Sequence, residues 1–134
     1  MTRQSLVWVG TALLAAILVL ETTAWAGTKV SYGVYIDTTS RYAQGALGTV
    51  RNSTDGLQEI QCGVWAYLGG GSYATCYARD ASGNQGSCFT SAANLVPMAA
   101  AISGDSLMSF EWDASGNCTE IGATNGSEHA PKQP

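Results

Sequence analysis

An all-β domain is predicted by three features of the chain. Apolar and polar residues alternate with a period of two in several stretches. Four cysteines fall on the apolar parity of those stretches. A five-residue turn, Asp-Ala-Ser-Gly-Asn, occurs twice. The expected architecture is a small antiparallel β-sandwich or barrel of roughly six strands, stapled by two disulfides, with at most one short helix.

The first 26 residues stand apart from this pattern. Arg3 is followed by an uncharged apolar run over residues 6–20, then by polar Glu21, Thr22 and Thr23, and by Ala24-Trp25-Ala26. This is the charged, apolar and small-x-small order of a secretory signal peptide, with cleavage expected between Ala26 and Gly27. The apolar run is short for a membrane span, which needs about 20 residues. Residues 27–124 are then expected to form a single disulfide-stapled β domain. Residues 125–134, with two prolines and no apolar periodicity, are expected to be a flexible tail.

In residues 29–37, Val30, Tyr32, Val34 and Ile36 share one parity, as a half-buried strand requires. Residues 38–44 are polar and loop-like, residues 45–51 are expected to be a weaker strand, and residues 52–56 form a turn cluster. The clearest strand covers residues 58–68, with Ile60, Cys62, Val64, Ala66 and Leu68 on one face. Gly69, Gly70 and Gly71 reverse the chain, and nothing after them resembles the Lys-Ser/Thr ending of a phosphate-binding loop. Residues 73–79 form the next strand, with Ala74, Cys76 and Ala78 on one side. Asp80 and Asp113 each open a turn in which Gly83 or Gly116 supplies the left-handed position. Residues 107–112 and 118–121 flank the second copy. Between the hairpins, residues 97–102 are expected to form a short helix, opened by Pro97 and stopped by Gly104.

An even number of cysteines in a short exported domain reads as disulfides. Metal binding is disfavoured, because Cys62, Cys76, Cys88 and Cys118 contain no Cys-x-x-Cys pair and His129 is the only histidine. With Asp80 facing Asn84 across the turn, Cys76 faces Cys88. The expected bridges are therefore Cys76–Cys88 and Cys62–Cys118, with Cys62–Cys76 and Cys88–Cys118 as the alternative pairing.

The net charge of −4 and the low charged fraction of 12% give no electrostatic footprint for nucleic acid or for anionic membranes. No cofactor is implied, and no membrane contact is expected after cleavage. His129 lies in a polar tail, away from any position in which it could serve a Ser-His-acid triad. Glu111 and Asp113 share a strand face at a spacing compatible with glycoside hydrolysis, but Asp113 is already a turn residue. The same turn chemistry is preferred to a calcium loop. Asn52, Asn117 and Asn125 open glycosylation sequons, a pattern expected by chance in a chain rich in Asn, Ser and Thr.

The most suggestive group is aromatic. Trp65, Tyr67, Tyr73 and Tyr77 lie on the parity opposite the cysteines and are expected to line the outer face of one sheet, where sugar rings or a protein partner would bind. A second layer covering them is the competing expectation. The favoured function is an exported, non-enzymatic binding or surface-structural domain, such as an adhesin-like module or an extracellular assembly subunit. A small secreted carbohydrate hydrolase and a secreted inhibitor or effector are the alternatives. The strand carrying Val30, Tyr32, Val34 and Ile36 is a candidate for self-assembly by strand addition.

Overall fold

The computed structural model describes residues 28–133; the signal-like segment and its cleavage point lie outside the described residues. Seven strands and two short helices follow in the order β1 (Tyr35–Asp37), β2 (Tyr42–Ala46), α1 (Leu47–Arg51), β3 (Glu59–Ala66), β4 (Ser72–Arg79), β5 (Gln85–Thr90), α2 (Leu95–Ala100), β6 (Ser106–Trp112) and β7 (Cys118–Asn125). They form two antiparallel sheets, one in the order β1-β2-β6-β7 and one in the order β3-β4-β5. No helix among the described residues is long and apolar enough to cross a membrane.

The fold class read from the sequence is the one observed. The two turns are also as expected. Asp80 Oδ1 accepts the backbone N–H groups of Ser82 and Asn84 at 2.8 and 2.9 Å. Asp113 Oδ1 accepts those of Ser115 and Asn117 at the same two distances. Gly83 and Gly116 take φ of 87° and 81°, which a side chain would resist.

The inner faces are built from small residues around a few large ones. Phe110 and Met108 are wholly buried, and Ala43, Ala74 and Ala78 have no exposure at all. Ile36, Val50, Ile60 and Ile121 complete the apolar layer with Val96 and Ala99 of α2. A bulge between Glu111 and Trp112 shifts the β6–β7 register before its last pair, Trp112 with Cys118. The Trp112 ring lies against Gly86 of the other sheet, where any Cβ would collide with it.

Four local expectations are corrected. Residues 29–37 are not one strand: only Tyr35–Asp37 pairs regularly. The Gln58 side chain captures the Val34 N–H at 2.7 Å, and Val30 instead bridges to His129. Residues 45–51 divide into the end of β2 and the helix α1, so the domain has two short helices rather than one. Val50 drops into the core from α1 with Leu47 packed against it, a spacing of three that suits a helical turn. The α2 helix begins two residues earlier than Pro97, placing the proline in its first turn. Residues 125–133 are tied down: the Val30 N–H donates to Glu128 O at 3.0 Å, Asn52 Nδ2 donates to Pro131 O at 3.0 Å, and His129 is buried. Gly48 makes this possible, because a Cβ there would occupy the position of the Ala130 carbonyl.

The disulfide expectation is also corrected. The bridges are Cys62–Cys76 and Cys88–Cys118, not Cys76–Cys88 and Cys62–Cys118. The hairpin register itself is as expected, since Cys76 is paired with Cys88 across β4 and β5. It is equally paired with Cys62 across β3 and β4. The two pairings differ in kind. The Asp80 N–H donates to Asn84 O and the Tyr67 N–H to Gly71 O. Counting from these two bonds, the strict alternation of an antiparallel ladder makes Cys76–Cys88 a hydrogen-bonded pair and Cys62–Cys76 a non-hydrogen-bonded one. Side chains are closer in the second kind, and the Cα atoms of Cys62 and Cys76 lie only 4.1 Å apart. Cys88 is left to reach Cys118 across the sandwich, with Cα atoms 4.9 Å apart.

The bridges and the Asp55 carboxyl each give measurable outcomes. Peptide mapping without reduction should recover Cys62–Cys76 and Cys88–Cys118, and replacing Cys88 and Cys118 together by alanine should lower urea stability by about 3 kcal/mol. The Asp55 carboxyl, held by the Gln58 side chain and by the backbone N–H groups of Gln58 and Leu57, is lowered to about 2. A depressed folded-state value contributes stability above the ordinary carboxylate range, and that contribution is lost as pH falls through the folded midpoint. An NMR titration should place the Asp55 midpoint near that value, and Gln58→Ala should return it toward the ordinary range and remove hydrogen-exchange protection from the Val34 amide.

Candidate binding face

The outer face of the three-stranded sheet is set by strand parity and register. In β3 it carries Glu59, Gln61, Gly63 and Trp65; in β4, Tyr73, Thr75, Tyr77 and Arg79; in β5, Gln85, Ser87 and Phe89. Trp65 and Tyr73 are direct cross-strand partners, and their rings stack at 5.2 Å with 14° between planes. Tyr67 stacks on Tyr73 from the hairpin end at 5.8 Å, and Phe89 meets Tyr73 from β5 at 5.3 Å. Cross-strand aromatic neighbours of this kind stabilise a sheet and hold each other's rotamers.

Gly63 is part of this arrangement. A Cβ at position 63 would lie 2.5 Å from the Trp65 ring, so glycine lets the indole lean back along its own strand. Tyr73 sits at the centre of the group and is half-buried by its neighbours. A hydrogen bond with Tyr67, then burial, holds its phenol above the usual tyrosine range. The peripheral rings remain open: Trp65 is 45% exposed, Tyr67 61% and Phe89 46%. Leu68 at the hairpin apex is fully exposed.

The expected second layer is not over these rings. Val96 and Ala99 of α2 pack into the core with the cysteine-bearing face, and the other sheet meets that same face. Of the four aromatic residues singled out from sequence, the structure brings Trp65, Tyr67 and Tyr73 together. Tyr77 is separate: it lies between Gln61 and Ser87 and lines a shallow cleft with Arg41, Gln85 and Trp112. Phe89 was not among the expected residues. Its signal was present, because the register that places Cys88 opposite Cys76 also places Phe89 opposite Thr75, diagonal to Tyr73.

Val30, Tyr32, Val34 and Ile36 do not act as one strand. Ile36 is in the core, Val34 packs against it, Val30 is tied to the tail, and the Tyr32 ring meets His129 edge-on at 6.1 Å. Glu111 stands opposite Glu120 and Tyr42 on the other sheet, whereas Asp113 is held by its own turn, where Asn117 lowers its carboxyl below the usual range. His129 is buried beneath Tyr32 and adjoins Glu128 at 3.8 Å. Glu111 is thus a strand residue, Asp113 a turn residue and His129 a buried residue of the C-terminal segment. Cys76, Cys88 and Cys118 gather their sulfur atoms within 4.8 Å of one another, but all are disulfide-bonded.

Comparison with protein families, curated proteins and solved structures finds no match to this chain.

The ring contacts predict a graded response to truncation. Tyr73→Ala, which removes all three contacts at once, should cost about 2 kcal/mol in urea denaturation. Tyr67→Ala and Phe89→Ala should each cost about 1 kcal/mol or less. Gly63→Val should displace the Trp65 ring, read as a changed near-ultraviolet circular dichroism spectrum with far-ultraviolet bands retained.

Proposed function

We propose that this is an exported, non-enzymatic binding or surface-structural domain whose contact surface is the outer face of the β3-β4-β5 sheet. The observation that carries this reading is the exposed aromatic group of Trp65, Tyr67 and Phe89 around Tyr73, on a sheet stapled by a disulfide through its own strands. Three large rings left open on one rigid surface are costly to solubility and are a recurrent feature of recognition sites. Their mutual stacking fixes their geometry before any ligand arrives, so little entropy is lost when one binds.

The rest of the face suits the same role. Thr75 lies opposite Phe89, Gln61 and Ser87 flank Tyr77, and among the described residues of this face the charged pair is Arg79 with Glu59 at the far end, beside Gln85. Such a surface suits a neutral polymer, either a polysaccharide or a protein surface without strong charge. The signal-like first 26 residues and the two disulfides agree with residence in an oxidising compartment outside the cytoplasm.

The test uses Trp65→Ala combined with Phe89→Ala. The parent domain, processed at its expected signal site, is assayed for retention on insoluble polysaccharides and on immobilised cell-surface protein from its source. Retention should fall about tenfold or more in the double variant, the size expected from losing aromatic anchors, with the backbone bands of the far-ultraviolet circular dichroism spectrum retained. Equal retention of parent and variant would overturn the assignment of this face.

A further inference from the structure

Cys76 occupies an unusual position for a bridged cysteine. It sits on the central strand of its sheet, with Cys62 opposite on one side and Cys88 opposite on the other. Its sulfur lies within 4.8 Å of those of Cys88 and Cys118, which form the second bridge. Two disulfides thus meet in one buried sulfur cluster, and one backbone register serves either partner of Cys76. A hydrogen-bonded cross-strand pair has Cα atoms about 5.5 Å apart, inside the ordinary range for a disulfide.

Exposure is unequal among the four. Cys76, Cys88 and Cys118 are 2%, 5% and 7% exposed, whereas Cys62 is only partly buried, on a strand at the sheet edge. A thiol from solution therefore meets Cys62 first.

We propose that Cys76 is an exchange cysteine, which converts attack by a small external thiol at Cys62 into opening of the buried Cys88–Cys118 bridge. The external thiolate attacks Cys62 Sγ; a mixed disulfide forms there, the Cys62–Cys76 bond breaks, and its electron pair leaves on Cys76 Sγ. The Cys76 thiolate then attacks Cys88 Sγ. The Cys76–Cys88 bond forms, the Cys88–Cys118 bond breaks, and Cys118 Sγ takes the electron pair and then a proton. Two disulfides and one thiol are present before and after, so no oxidant or net reductant is consumed. The covalent tie between the two sheets is lost and replaced by one inside a single sheet. An event at the surface thereby releases a bond that no solution thiol reaches directly.

The direction of the second step follows from register. Attack on Cys88 closes a bridge between residues already opposed in the ladder, whereas attack on Cys118 would keep the sheets tied.

The folded domain is treated with limiting glutathione, quenched in acid at intervals and mapped without reduction. The expected product carries glutathione on Cys62, a Cys76–Cys88 linked peptide and a free thiol at Cys118. Glutathione on Cys62 with a free Cys76 and an intact Cys88–Cys118 peptide would overturn the proposal. A Cys76–Cys118 peptide would overturn it as well. A second variant removes dependence on the external thiol. In Cys62→Ala, oxidatively folded, the linked peptide should shift from Cys88–Cys118 to Cys76–Cys88, with Cys118 alkylatable. Retention of Cys88–Cys118 as the sole bridge would count against exchange. Should that variant fail to fold, Cys62→Ala combined with Cys118→Ala isolates the geometry: Cys76 and Cys88 should oxidise to one bridge with the parent far-ultraviolet spectrum, and failure of that bridge to form in the folded protein would refute it.

Discussion

The packing of the two sheets through small residues is the constraint from which the rest of the structure follows. Ala43, Ala74 and Ala78 fill the inner faces with little apolar area per residue, and Phe110 and Met108 are the largest side chains wholly enclosed among the described residues. A domain of this size buries a modest fraction of its surface, and such a core has little to spare. The cysteines supply what the side chains lack. Cys62–Cys76 locks the first hairpin, and Cys88–Cys118 joins β5 to the start of β7. At that corner the Phe89 N–H also donates to Gly116 O at 2.9 Å, so the sandwich is drawn together by a covalent bond and a backbone bond side by side.

The same arrangement explains why an aromatic group can stand in solvent. Once the cysteine-bearing parity faces the core, strand geometry sends Trp65, Tyr73 and Phe89 to the opposite side. They contribute to stability by stacking on one another, not by burial beneath another layer. The rings are thereby fixed on a rigid surface while their outer parts remain available, which is the physical basis of the binding role proposed for this face.

The termini show how side chains replace a missing ladder. The Asp55 carboxylate holds Gln58, and Gln58 in turn holds the Val34 N–H, so the segment before β1 is anchored by a side-chain relay in place of regular strand pairing. The tail closes over the same region, with Ala130 set against Gly48 and the His129 ring under Tyr32.

Local chemistry by itself determined the β class, the two Asp-Ala-Ser-Gly-Asn turns, the Cys76–Cys88 register and the parity that sends three of the aromatic residues outward. Each depends on residues a few positions apart, on the pleat or on one turn, and these are forces that act within a strand or a hairpin. Tertiary structure decided the rest. Whether Cys76 joined Cys62 or Cys88 depended on which ladder placed it in a non-hydrogen-bonded pair, and that required the β3–β4 and β4–β5 ladders together. Phe89 joined the ring group, and Tyr77, on the same outer face, stood apart from it, because ring contacts depend on cross-strand neighbours. The apparent strand over residues 29–37 broke because Gln58 offered Val34 a partner that no alternation pattern records, and the tail was ordered by a glycine at position 48, far away in sequence. These outcomes were set by contacts between distant segments, whose free energies a period of two along the chain does not contain.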